Sequence, residues 1–417
     1  MKNKINQNIY PWIVKWHFIG GIISAPIVVI LAITGLIYLF KDKYEAPQKA
    51  ALAHIEQKTE SKMSFQQQWQ LAKKEWKKVP SGMVVPQSDN EATEFISGKF
   101  SHKSHLYIDP YAQKVKGTVN INETDMYKVR KLHGELLLGS YGTKVVELVA
   151  SWMVVLIMTG LYLFWPRGGG IKGFFKLRTN QSKRILYRDI HALAGFWFSF
   201  LLLLVLAGGL PWTDVFGKSY QWVQKVTNSG YPRTWEGKGM KSTPVGEPMG
   251  LDAIVLKAKA MNLDGTTIIE LPEGPTGVYS VYNETINFNS IQKIHLDQYS
   301  GEVLIRNTWA DVGPMMKSRQ WVMAFHQGEF GLWNWLLMIF IATGLLVIST
   351  TAIATYFFRK KPGSLSIPNV PKNLSPSLAL VVIIVSLGIV LPLFGLSVIL
   401  LFLIDKFKPK QSVALKS

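Results

Sequence analysis

The sequence predicts an α-helical membrane protein: a bundle of four core transmembrane helices plus a C-terminal hydrophobic segment, with two α+β extracytoplasmic domains and an internal two-fold repeat. Three observations predict it. The chain has 417 residues, of which 48% are hydrophobic, with a positive mean hydropathy of +0.15. Its apolar residues cluster in runs of about 20, the length that crosses a hydrocarbon core as a helix. Finally, span, polar stretch and span recur twice in the same order, and the two halves match in detail.

The elements follow in order. Residues 1–40 hold an N-terminal segment and a first span at about 18–40, too long for a signal-peptide core and so read as a retained anchor. Residues 41–142 form the first outer domain. Phe65, Trp69, Ala72 and Trp76 recur at helical spacing within 64–78, and a strand-like stretch follows at 104–108. A second span occupies 143–165, and a basic loop follows at 166–190. That loop carries Arg167, Lys172, Lys176, Arg178, Lys183, Arg184 and Arg188, with Asp189 in opposition. Residues 191–212 are the third span, and 213–325 the second outer domain. That domain has a helix-like stretch at 251–262, strands at 277–282 and 291–296, and a hairpin through Asp297–Gly301 into 302–306. The fourth span is 326–358, and a second basic segment, 359–376, opens with Arg359-Lys360-Lys361. The hydrophobic segment 377–404 contains Pro392 and reads either as one tilted span or as a bent hairpin. In the tail, 405–417, Lys406, Lys408 and Lys410 favour the cytoplasm, which a single span would not give.

The net charge is +19. Much of it flanks the spans, and Lys2, Lys4 and Lys15 precede the first, so the positive-inside rule puts the N-terminus and both basic segments in the cytoplasm. The partner is a lipid bilayer; no nucleic-acid motif is present. With no cysteine, disulfides, thiolate catalysis, cysteine-ligated iron–sulfur clusters and covalent c-type haem are excluded, and any haem is held by His or Met.

Four histidines stand beside the four spans: His17, His133, His191 and His326. Three share one spacing, 18 residues, to a glycine: His17 to Gly35 in Thr34-Gly35-Leu36, His191 to Gly209 in Gly208-Gly209-Leu210, and His326 to Gly344 in Thr343-Gly344-Leu345. Eighteen residues are five helical turns, so each pair would share one helix face. His133 departs from this, with Gly160 lying 27 residues on. Either the second span starts with an extra turn or loop through Gly139–Gly142, or His133 is not a ligand. The returning spans are expected to begin at His133-Gly134-Glu135 and His326-Gln327-Gly328-Glu329.

Sidedness sorts these residues. His17 and His191 begin outward-going helices and belong at the cytoplasmic end; His133 and His326 precede returning helices and belong at the outer end. Imidazoles from facing helices can ligate a haem iron axially, so two haem b groups are expected, one above the other. Gly35, Gly160, Gly209 and Gly344 would allow close approach of a helix or a porphyrin.

Arg130 and Arg188 each precede a histidine by three residues, and Lys15 precedes His17 by two. They are candidates to pair with haem propionates, against ordinary flanking charge for Lys15 and Arg188. Glu147 in the second span is either functional or paired with Lys144. His54, His102, His105 and His295 read as solvated residues of the outer domains, with a metal clip at His102 and His105 as the sharper reading. Trp309, Trp321, Trp333 and Trp335 read as an interfacial belt or as an aromatic wall for a bulky ligand. Gly168–Gly170 is a linker, and the chain has no dinucleotide fingerprint or P-loop. Electrons would therefore come from a separate cytoplasmic donor or from quinol.

The second hairpin, Asp297-Gln-Tyr-Ser-Gly-Glu-Val-Leu304, after a helix and strands, resembles the PepSY domain. The first departs from that pattern, with Ala112-Gln113-Lys114 in place of Thr-Gly-Glu. Two such domains between paired spans, with histidines at the junctions, resemble the PepSY-associated transmembrane family over roughly residues 10–360. That resemblance implies a bacterial inner-membrane protein with both outer domains periplasmic. It also implies an oxidoreductase of iron acquisition, a ferric-siderophore reductase that takes its substrate from Fe(III) to Fe(II). Two alternatives stand beside it. One is a non-catalytic module whose PepSY-like domains bind peptides or restrain a protease, which leaves the four histidines unexplained. The other is a transporter, motivated by the repeat but weakened by the scarcity of mid-membrane charge.

Overall fold

The computed structural model describes residues 2–56, 61–98, 102–166, 170–370 and 377–407. Arg167, Gly168, Gly169, Lys408 and Lys410, and the side chains of Lys2, Lys4 and Lys406, lie outside the described residues. In chain order the elements are α1 (Lys2–Tyr38), α2 (Lys41–Ala53), α3 (Phe65–Glu75), β1 (Gly82–Val84), β2 (Thr93–Ser97), β3 (Ser104–Asp109), β4 (Lys114–Val119), α4 (Asp125–Glu135), α5 (Gly139–Phe164), α6 (Lys183–Gly209), α7 (Val215–Val226), α8 (Leu251–Ala260), β5 (Thr266–Glu270), β6 (Val278–Glu284), β7 (Gln292–Asp297), β8 (Val303–Thr308), α9 (Pro314–Gln327), α10 (Leu332–Arg359), α11 (Leu378–Val390) and α12 (Pro392–Phe407).

They fall into two compact units. One comprises the residues up to Leu39, Val129–Val223 and the chain from Arg319 on; the other is Phe40–Lys128 with Gln224–Ser318. The first is the bundle. Its helices α1, α5, α6 and α10 are long and apolar enough to cross a membrane. Ile157, Leu202, Phe325, Met338, Ile341 and Ile348 form its core.

Neither returning span begins at its histidine, although both were expected to. His133 ends up on α4 and His326 on α9, each followed by a break before the span proper. Leu136 and Leu137 take left-handed conformations (φ 48° and 60°) in the first break, and Gly328 and Gly331 (φ 74° and 87°) in the second. Gly142 permits the first: a Cβ there would sit 1.6 Å from the Glu135 carbonyl oxygen. Asn334 ties the second, accepting from the Phe330 N–H and donating to the Phe325 carbonyl, each at 3.1 Å. A break does follow His133, but at Leu136–Leu138 rather than at the expected Gly139–Gly142, which is already the first turn of α5. The 18 residues from His326 to Gly344, by contrast, do not lie in one helix.

The C-terminal segment is bent. Leu391 leaves helical geometry (φ −117°, ψ 82°), α12 starts at Pro392, and the backbones of Gly388 and Gly395 touch. Residues seven apart in one straight helix would be about 10 Å apart, so the chain reverses there.

The second unit corrects the expectation of two separate domains. Both stretches contribute to one eight-stranded antiparallel sheet of order β4-β3-β2-β1-β5-β6-β7-β8. The strand order reads alike from either edge, and the halves join where β1 pairs with β5, Met83 opposite Ile269. Helices α3 and α8 cap each other. The Asp252 carboxylate accepts the N–H groups of Phe65 and Gln66 at 2.7 and 3.1 Å, and the Gln66 side chain accepts that of Leu251 at 3.1 Å. Under them, Phe95, Leu106, Ile108, Ile269, Val281, Ile294 and Leu296 alternate inward to form a single core.

Candidate functional site

The four histidines form two pairs within the bundle. The ring centres of His17 and His191 are 6.3 Å apart, and those of His133 and His326 are 6.2 Å apart. Two imidazoles bound through nitrogen to opposite faces of one metal, at about 2 Å per bond, put their ring centres about 6 Å apart. The spacing is too long for a direct hydrogen bond and fits one atom between the rings.

Each ring is turned by a bond at Nδ1. His191 Nδ1 meets the Ile348 carbonyl and His326 Nδ1 the Val205 carbonyl, both at 2.9 Å. A carbonyl only accepts, so Nδ1 holds the proton. His17 Nδ1 meets Thr159 Oγ1 at 2.9 Å, and His133 Nδ1 meets Thr34 Oγ1 at 3.0 Å. Both hydroxyls already donate to their own helix, Thr159 to the Val155 carbonyl and Thr34 to the Ile30 carbonyl, each at 2.7 Å. They therefore accept from the imidazoles. All four Nε2 atoms keep a lone pair, as axial ligation requires.

The glycines sit where a ring needs room. A Cβ on Gly160 would lie 3.2 Å from His17 Cε1, one on Gly35 3.2 Å from His133 Cε1, and one on Gly209 3.7 Å from His326 Cε1. Gly344 instead receives the Phe198 ring, at 2.3 Å from such a Cβ. The 18-residue ruler thus measures something other than a histidine and its own glycine. Gly35 serves His133 and Gly209 serves His326, so along α1 and α6 it is the distance between the two sites, about 27 Å.

The His17/His191 pair opens on a cavity of about 830 Å³ that Gly21, Gly160 and Gly195 also line, with Lys176, Arg178, Arg184, Arg188 and Arg359 among its polar groups. That volume is within the range of a cofactor site. Of the two arginines singled out in the sequence, Arg188 lies here and donates to Asp189 at 3.2 Å, while Arg178 holds the same carboxylate in a fork at 2.6 and 2.8 Å. Arg359 lies over the Phe18 ring, 4.7 Å from its centre. Arg184 and Arg359 were legible only as flanking charge. Arg130 lies one turn before His133 on α4, half-buried.

Other expectations change. Glu147 does not pair with Lys144. It is fully buried and accepts the N–H groups of Val215 and Phe216 at 2.8 Å each, while Lys144 pairs with Asp214 at 2.5 Å. His295 is not solvated. It is buried, its Nδ1 is 2.9 Å from Ser280 Oγ, and burial holds its pKa below the ordinary value. His105 pairs with Glu94 at 2.6 Å, and His54 and His102 are exposed. Among the described residues no three His, Cys, Asp or Glu side chains gather as a metal site. Trp335 donates to the Leu39 carbonyl at 2.7 Å, whereas Trp321 and Trp333 are exposed, as in a belt; Trp309 stacks on Phe288 in the sheet unit.

A family model described as the PepSY-associated TM region matches residues 14–360. No curated protein matches the chain.

Proposed function

The chain belongs to the PepSY-associated transmembrane family, and on that premise we propose that this multi-pass membrane protein is a two-haem b reductase that carries electrons across the bacterial inner membrane to a ferric siderophore. The reading rests on one observation: two histidine pairs with ring centres 6.3 and 6.2 Å apart, with every Nδ1 engaged in a hydrogen bond. Haem b bound in each pair supplies one-electron transfer.

The residues divide the work. His17 and His191 hold the cytoplasmic-side group, and Lys176, Arg178, Arg184, Arg188 and Arg359 offer cations to its carboxylates. His133 and His326 hold the outer one, with Arg130 beside them. The Thr34 and Thr159 hydroxyls and the Ile348 and Val205 carbonyls fix the rings in the ligating tautomer. Gly35, Gly160 and Gly209 leave the space beside the imidazole Cε1 atoms clear of side chains. The acceptor is reduced from Fe(III) to Fe(II) on the periplasmic side. Hard oxygen donors that grip Fe(III) hold Fe(II) less tightly, so iron is released. Electrons enter from a cytoplasmic donor or from quinol.

The test is a reduced-minus-oxidised visible spectrum of the purified chain with haemochrome quantitation. Two haem b per chain are expected, with one lost in His191→Ala and the other in His326→Ala. A chain without a Soret band, or a band untouched by His191→Ala, overturns the reading.

A further inference from the structure

We propose that Glu147 and Arg319 are positioning residues for His326, and through it for the outer histidine pair; the inference rests on the two-haem reading. His326 is turned by the Val205 carbonyl near the end of α6. Whatever holds that end of α6 against α9 therefore sets where the imidazole points.

The chain leaves α6 at Gly209, turns through Leu210–Trp212 and enters α7 at Val215. That exit turn is gripped from two sides. On one side, Glu147 of α5 places its carboxylate on the first two N–H groups of α7, at 2.8 Å each. An anion at a helix N-terminus is charge-assisted, and its strength grows out of water. On the other side Arg319, buried on α9 two turns before His326, donates to the Pro211 carbonyl at 2.9 Å. Its guanidinium also lies 4.0 Å from the centre of the Trp212 ring. Between these grips α9 lies directly on α6: a Cβ on Gly208 would be 2.5 Å from the Val322 carbonyl oxygen and 2.7 Å from His326 Cβ.

The contacts close a ring: the α5 carboxylate, the exit turn, the α9 guanidinium, His326, and the α6 carbonyl that accepts its hydrogen bond. Neither Glu147 nor Arg319 needs to touch an imidazole to move one. The His17/His191 pair lies at the other end of α6, beyond this ring of contacts.

The test uses the full-length chain in lipid nanodiscs, as wild type, Glu147→Gln and Arg319→Lys. In a redox titration with low-spin ferric spectra, one of two b-type components shifts in each variant and the other stays in place. In the haem-free protein, Glu147→Gln speeds amide exchange about tenfold at 205–216 and 319–327, the scale of one lost charge-assisted hydrogen bond, and leaves 183–200 unchanged. Both components moving equally, neither moving in either variant, or exchange rising evenly along the bundle would overturn the proposal. A wild type that binds no haem sinks the two-haem reading instead, and the exchange arm then decides the clamp alone. Should Glu147→Gln not fold, Arg319→Lys carries both measurements.

Discussion

At the scale of single residues, the site depends on which atom holds a proton. A histidine near a helix end could present either nitrogen. Here the Thr159 hydroxyl, already committed to the Val155 carbonyl, leaves His17 only Nε2 to offer. Outer partners of metal ligands are commonly worth about 10–100-fold in affinity. On the proposed two-haem reading, Thr159→Val should therefore weaken haem retention at the His17 pair by about that factor, read by haem loss to apomyoglobin. Thr343→Val should leave retention unchanged, because the Thr343 hydroxyl bonds only to the Ile339 carbonyl and is exposed. Thr34, Thr159 and Thr343 all stand in a Thr-Gly-Leu triplet, so the sequence marks all three alike. Only packing separates the two that face a histidine from the one that does not.

At the scale of elements, the two hairpins of the sheet unit show how close the sequence came. Asp109 accepts the N–H groups of Tyr111 and Ala112, both at 2.9 Å, and Asp297 accepts those of Tyr299 and Ser300 at 2.8 and 3.0 Å. The next residue takes a left-handed conformation in each: Gly301 at φ 64°, but Gln113 at φ 52°. A Cβ makes that conformation costly. Gln113→Gly should therefore stabilise the sheet unit by about 0.5–1 kcal/mol after the extra chain entropy of glycine is subtracted, seen as a higher thermal midpoint. Unchanged or lowered stability would refute the strain. The spans were legible from their apolar runs. The break before α5 was signalled only by the misfit of His133 to the ruler, because Leu136 and Leu137 are poor choices for a left-handed turn and nothing in their type announces one; the break before α10 was hidden, because His326 fits the ruler although its glycine lies on the next helix.

At the scale of the whole molecule, the fold of the sheet unit depends on an edge. Each stretch alone would end in an unpaired strand, β1 or β5, and an open edge row of N–H and C=O groups is a liability. Pairing Gly82–Val84 with Ile268–Glu270 removes both edges. The halves should then melt as one. Ile269→Ala, at a fully buried position in the centre of the sheet, should cost about 2–5 kcal/mol and lower the protection of β3 and β7 together in hydrogen exchange. Loss of protection in β7 alone would mean two independent domains. The reversal at Leu391–Pro392 belongs to this scale too, since it turns the C-terminal hydrophobic segment back on itself instead of letting it run as one straight helix.

The sequence by itself determined where apolar runs cross the membrane, which four histidines stand at their ends, and which turns need an aspartate. Those properties are local: run length, residue type and spacing along one strand or helix carry them. Only the tertiary structure decided that Gly35 serves His133 rather than His17, that Glu147 caps α7 rather than pairing with Lys144, and that two expected domains share one sheet. Each of these joins residues far apart in the chain. Helical spacing records which residues share a face, but not which neighbour that face meets.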